Sequence, residues 1–238
     1  MSHRTTLIAS TLIAASLASG SVHAELQARW LITGMTAEDF AGPTPNYPSP
    51  DAYYDTDLNI TWLANANVNG AMTWANANAW AASLVIQNQV NGQTYTYDNW
   101  RLPTALQPDV SCSGHSGDLS FGTGCTGSEM GHLFYSELGG AAGFSLLWSS
   151  DPDVAKFSNL QDAYWSATAL GEPYTGYAWN FNFASGMQDG RSETNAFYAL
   201  AVSPGDVGIA AIPEADTWAM LLAGLGLVGV ATRRKRRA

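Results

Sequence analysis

The chain has 238 residues, with 10 Lys and Arg against 20 Asp and Glu, for a formal net charge of −10. With its two ends set aside, the body at residues 25–211 keeps only Arg29, Arg101, Lys156 and Arg191 against 18 carboxylates, a formal −14. So acidic a surface repels phosphate backbones and argues against a nucleic-acid partner, while it suits divalent cations or neutral sugars.

The first 24 residues read as a secretory signal peptide. His3 and Arg4 form a short basic start, Leu7 to Ala18 an apolar stretch, and Val22-His23-Ala24 a small-residue site with cleavage expected after Ala24. The body that follows is long enough for one domain with a sizeable core. Residues 25–54 are a lead-in whose end, 41–50, holds four prolines in ten positions and reads as a loop. Residues 55–63 alternate, with Leu58, Ile60 and Trp62 on one side, which predicts a half-buried strand. Thr73 then precedes Trp74, Ala77, Trp80, Ala81 and Leu84, whose spacing predicts a capped amphipathic helix over 74–87. An Asn/Gly-rich stretch at 88–93 returns the chain to Asp98-Asn99-Trp100-Arg101-Leu102-Pro103-Thr104.

Cys112 and Cys125 lie in the Gly/Ser-rich loop beyond. In an oxidising compartment they read as one loop-closing disulfide rather than free thiols, since no His pair of ligand spacing supports zinc. Closing such a loop stabilises by about 3 kcal/mol in the chain-entropy account. Ser128 is placed to cap a second helix over 129–138, with Met130, Leu133, Phe134 and Leu138 on one face and Gly139-Gly140 as its stop. Short strands follow at 164–168, 179–183 and 196–202, with Trp179, Phe181 and Phe183 facing the core and a hairpin over 184–195 containing Gly186 and Gly190. Two helices early and antiparallel aromatic strands late define an α+β class.

Few residues point to catalysis. Of the four histidines only His115 and His132 lie in the body, and neither falls in a nucleophile, metalloprotease or zinc motif. His132 reads as a surface or boundary residue and His115 as a loop residue, so the hydroxyls of Ser149 and Ser166 have no base at supporting spacing. Arg101 and Trp100 are the sharpest ligand-binding candidates. The guanidinium fork suits a ligand carboxylate, and it equally suits an internal one beside backbone carbonyls, with the indole in the core. Asp151, Asp153 and Asp162, and the pair Asp55 and Asp57, offer oxygen ligands for Ca²⁺ outside any EF-hand spacing. A polysaccharide-acting enzyme would need a carboxylate pair at glycosidase distance.

At the C-terminus, the 14-residue apolar run 218–231 precedes Arg233-Arg234-Lys235-Arg236-Arg237. As a helix it reaches about 21 Å, short of the roughly 30 Å hydrocarbon layer, and the basic cluster holds its end in the cytoplasm. It is a hydrophobic helix of marginal span. Gly224, Gly226 and Gly229 spell a dinucleotide fingerprint inside this run, with no strand before or after to give it meaning.

The residues also carry two resemblances. Pro213-Glu214-Ala215, the glycine-interrupted apolar run and the basic stop resemble a PEP-CTERM sorting signal over 212–238, although Ala215 stands where that family usually has Pro. The resemblance implies recognition by an exosortase, cleavage near Pro213-Glu214, a transient inner-membrane anchor, and delivery to the cell surface or exopolysaccharide of a Gram-negative bacterium. Residues 55–203 resemble, in order, a bacterial family similar to the C-terminal domain of the collagen-like adhesin Lcl. The shared features are the helix carrying Trp74, Ala77, Trp80 and Ala81, the Trp100-Arg101-Leu102-Pro103 stretch, Tyr164-Trp165-Ser166, and Ala178-Trp179-Asn180-Phe181. This second resemblance implies a C-type-lectin-like or formylglycine-generating-enzyme-like fold and a glycan partner. Ala81 and Ala201 stand where many members pair cysteines, and the −14 body works against sulfated chains. The expected protein is a structural or carbohydrate-interacting matrix component without enzymatic activity, the alternatives being an adhesin-like lectin and a polysaccharide-acting enzyme.

Overall fold

The computed structural model describes residues 26–31, 49–90 and 93–210. The expected signal peptide, the sorting motif at Pro213, Glu214 and Ala215, and the basic stop at 233–237 lie outside these residues. The described part is mostly sheet with two short helices.

The chain enters through β1 (Leu26–Trp30), β2 (Ala52–Asp55) and β3 (Ile60–Leu63), all antiparallel neighbours. The single strand expected over 55–63 is therefore a hairpin. Asp55 Oδ1 accepts from the amides of Asp57 and Leu58, Asn59 takes a positive φ of 52°, and Asp55 faces Ile60 across the turn. An Asx turn of this kind competes with strand continuation, and alternation alone does not register it. Ile60 and Trp62 nevertheless share the core-facing side.

The first helix, α1, runs Trp74–Ser83. It ends sooner than expected because Val85 and Ile86 are β-branched and the chain goes directly into the hairpin of β4 (Ile86–Val90) and β5 (Gln93–Tyr97). Thr73 occupies the cap position without a side-chain hydrogen bond. The Trp74 amide is instead bound by the Glu193 carbonyl. The buried side of α1 is Ala77 and Ala81, small enough for the helix to lie close against Leu102, Trp165 and Ala178.

The cysteine loop contains a further hairpin, β6 (Gly114–Ser116) and β7 (Leu119–Thr123). Helix α2 (Glu129–His132) passes without a break into a π-helical turn, Leu133–Glu137. Ser128 Oγ does not cap it; that oxygen accepts the Leu106 amide. Strands β8 (Ala163–Ala169), β9 (Tyr177–Asn182) and β10 (Met187–Ser192) follow, and β10 occupies much of what reads in the sequence as a single hairpin connection. The chain returns through β11 (Val202–Pro204) and β12 (Ile209–Ala210).

Two five-stranded sheets result, in the orders β11-β3-β2-β1-β12 and β6-β7-β10-β9-β8. Between them lies the main core. The first sheet supplies Leu26, Tyr53, Ile60, Trp62 and Val202, and the second supplies Tyr164 and Phe181. Met130, Leu133, Phe134 and Leu138 of the helical turn fill the space between. Neighbouring residues of one strand serve different layers: Tyr164 joins this core, while Trp165 packs beneath α1. A third layer, Leu31, Ala52, Leu63, Trp100 and Ala201, covers the other face of the first sheet. Strands buried on both faces read as near-continuous apolar runs, as the Ile60–Leu63 segment does.

Candidate functional site

The Trp100 to Thr104 stretch is tied to three elements at once. Arg101 exchanges both backbone hydrogen bonds with Val202, at 2.9 Å each, and the Ala167 amide of β8 donates to the Pro103 carbonyl. Trp100 is 3% exposed, with its indole N–H on the Tyr97 carbonyl. The Arg101 guanidinium forks onto Glu129 at 2.7 and 2.6 Å and also donates to the Leu102 carbonyl. Glu129 in turn accepts the Thr104 amide at 2.7 Å. The fork is thus engaged with an internal carboxylate at the first residue of α2, and the indole lies in the interior.

Cys112 and Cys125 are bonded to each other. Ser166 is buried and accepts the Thr168 amide, and Ser149 accepts the Asp151 amide. His115 faces Ser120 at 3.1 Å. Asp151 Oδ1 accepts the Asp153 amide, Asp153 pairs with Lys156 at 2.8 Å, and Asp162 stands exposed.

Two other features stand out. The first is internal. His132 Nε2 lies 3.1 Å from Glu137 Oε1 and 3.9 Å from Asp55 Oδ2. The side chains of Asp55 and Glu137 are 0% and 1% exposed, and that of His132 14%. The π-helical turn produces this meeting. Five residues of α-helix rotate a side chain well past its starting face, whereas a turn closed by i→i+5 bonds sets residues 132 and 137 one above the other. Asp55 arrives from the opposite element, its Oδ1 held by the turn amides and its Oδ2 by the Trp62 indole N–H at 3.3 Å. The His132 pKa is raised, chiefly by its hydrogen bond to Glu137. Burial works against that rise, and the charges of Asp55, Glu137 and Asp57 add to it. Nothing in the sequence flags this group, because Asp55 is remote in the chain and the 132/137 spacing fits no α-helical face.

The second feature is external. In the loop after the π turn, Leu146 is buried in the main core, while Phe144 is 71% and Trp148 89% exposed. Among the described residues no other tryptophan is so exposed. Composition hides the run Phe144-Ser145-Leu146-Leu147-Trp148, because aliphatic and aromatic residues grouped in this way are most often buried.

Residues 211–237 match the PEP-CTERM protein-sorting motif. The motif marks an exported protein that an exosortase sorts to the surface or extracellular space, held by a C-terminal membrane anchor before processing. No curated protein and no solved structure matches the chain. Among the described residues no helix is long and apolar enough to cross a membrane.

Proposed function

We propose that the processed protein is a component of the exopolysaccharide matrix that binds neutral polysaccharide through the loop bearing Phe144 and Trp148. The observation that carries this reading is the indole of Trp148, 89% exposed on a loop anchored by buried Leu146. An exposed indole presents an apolar face edged by one polar N–H, which suits the C–H face of a pyranose ring with its hydroxyls around the rim. Phe144 and Trp148 place two exposed rings on one loop, an apolar surface available for contact. The acidic body favours an uncharged chain over a sulfated or uronic one. The likeness of residues 55–203 to the domain of a collagen-like adhesin, with the lectin-like fold it implies, supports a glycan partner by analogy. Binding, not bond cleavage, is the activity proposed.

The test is binding of the processed protein to exopolysaccharide from its producing cells, with neutral and sulfated glycans as competitors and Trp148→Ala in parallel. Saturable binding that neutral oligosaccharides compete and Trp148→Ala loses is the expected result. Equal binding by wild type and variant overturns the assignment to this loop, and no binding to any glycan overturns the function.

A further inference from the structure

Asp55, His132 and Glu137 each offer a ligand atom within 4.8 Å of the other two, with His132 Nε2 lying 3.1 Å from Glu137 Oε1 and 3.9 Å from Asp55 Oδ2. We propose that these three residues bind one divalent transition-metal ion of the zinc class, which cross-links the β2–β3 hairpin to the π-helical turn.

Charge is the first argument. Two carboxylates buried this deeply face a single imidazole, so the group's acidic side chains outnumber its basic one. Uncompensated buried charge is costly. Among the described residues, no Lys or Arg is paired with either carboxylate. A divalent cation bound by two carboxylates and a neutral imidazole brings the sum to zero.

Spacing is the second. Ligand atoms about 2.1 Å from a tetrahedral metal stand roughly 3.4 Å from one another. The observed 3.1 and 3.9 Å bracket that value, so binding requires only small side-chain adjustment.

Pre-orientation is the third. Ligating carboxylates are held by outer hydrogen bonds, and Asp55 already has three, from the Asp57 and Leu58 amides and the Trp62 indole. The π turn is a fourth and independent sign. Such turns are rare and recur at functional positions, and here the turn aligns His132 with Glu137.

The donor set selects the metal. Calcium takes six to eight oxygens, and an imidazole with two carboxylates, one of them already accepting three hydrogen bonds, cannot supply them. One nitrogen and two carboxylate oxygens suit zinc or manganese. The partial exposure of His132 leaves a side through which water completes the coordination shell and the ion enters.

The processed protein, stripped with chelator, is titrated with Zn²⁺, Mn²⁺ and Ca²⁺ separately. Zinc should bind at one equivalent and raise the melting temperature in step with its free concentration. Glu137→Gln and His132→Gln should each weaken binding by at least about tenfold. His115→Ala and Asp151→Asn should leave it unchanged. X-ray absorption of the zinc-loaded wild-type protein needs no variant and should show one imidazole among oxygen ligands, still present in His115→Ala. The proposal is overturned by the absence of stoichiometric zinc binding, by a shell of oxygens alone, by loss of binding in His115→Ala or Asp151→Asn, or by calcium binding at least as tightly as zinc.

Discussion

Two aromatic segments of this molecule are treated in opposite ways. Around Trp100 and Arg101 every strong group is used inside: the indole is buried, the guanidinium forks onto Glu129, and the backbone is pinned to β8 and β11. Around Trp148 the anchor is Leu146 and the large rings point outward. The comparison teaches that chemical prominence in the sequence and availability in the structure are different properties. A bidentate Arg–Glu pair needs a partner of fixed geometry, and the first residue of a helix provides one.

That contrast is broken most directly at Trp100. Trp100→Ala should cost about 3 to 5 kcal/mol, read as the loss of unfolding free energy in urea, because the indole packs among Leu31, Leu63 and Ala201. A cost near zero would return the indole to the surface and erase the distinction. Next comes Gly131→Ala. A Cβ at this position would run into the Cys125 carbonyl oxygen, a backbone atom that cannot swing aside. The expected loss is about 3 kcal/mol, the upper end for overpacking, measured in the same way. Glu129→Gln keeps an acceptor for the Thr104 amide but removes the charge facing Arg101. With the guanidinium one-third exposed, the loss should be about 1 kcal/mol and should shrink in high salt.

How much of this was legible follows from the same physics. The helix positions Met130, Leu133, Phe134 and Leu138, and the alternating pair Phe181 and Phe183, were readable because regular spacing makes one face apolar, and all of them are buried, although β9 itself ends at Asn182. The β2–β3 turn was missed because a single Asp side chain redirects the backbone, and strand β10 because Asp189, Gly190 and Arg191 carry turn-like composition in a paired strand. The alignment of Glu137 with His132 depends on a π turn, and no residue pattern at α-helical spacing announces one. Trp148 was hidden by its neighbours: between Leu147 and Ser149 an indole is more often core.

The smallest expected effect on stability is the most informative about function. Trp148→Ala should change the unfolding free energy by no more than about 0.5 kcal/mol, since an indole 89% exposed gives up little contact when removed. The same exposure makes it the first described tryptophan to react with N-bromosuccinimide, ahead of Trp62, Trp165 and Trp179 in the core. If the ring stacks on sugar, saturating polysaccharide slows that reaction and shifts the fluorescence of this one indole while the buried ones are unaffected. A Trp148→Ala variant that unfolds several kcal/mol more easily would mean that the ring packs against the protein in solution, making this loop architecture of the same kind as the Trp100 stretch.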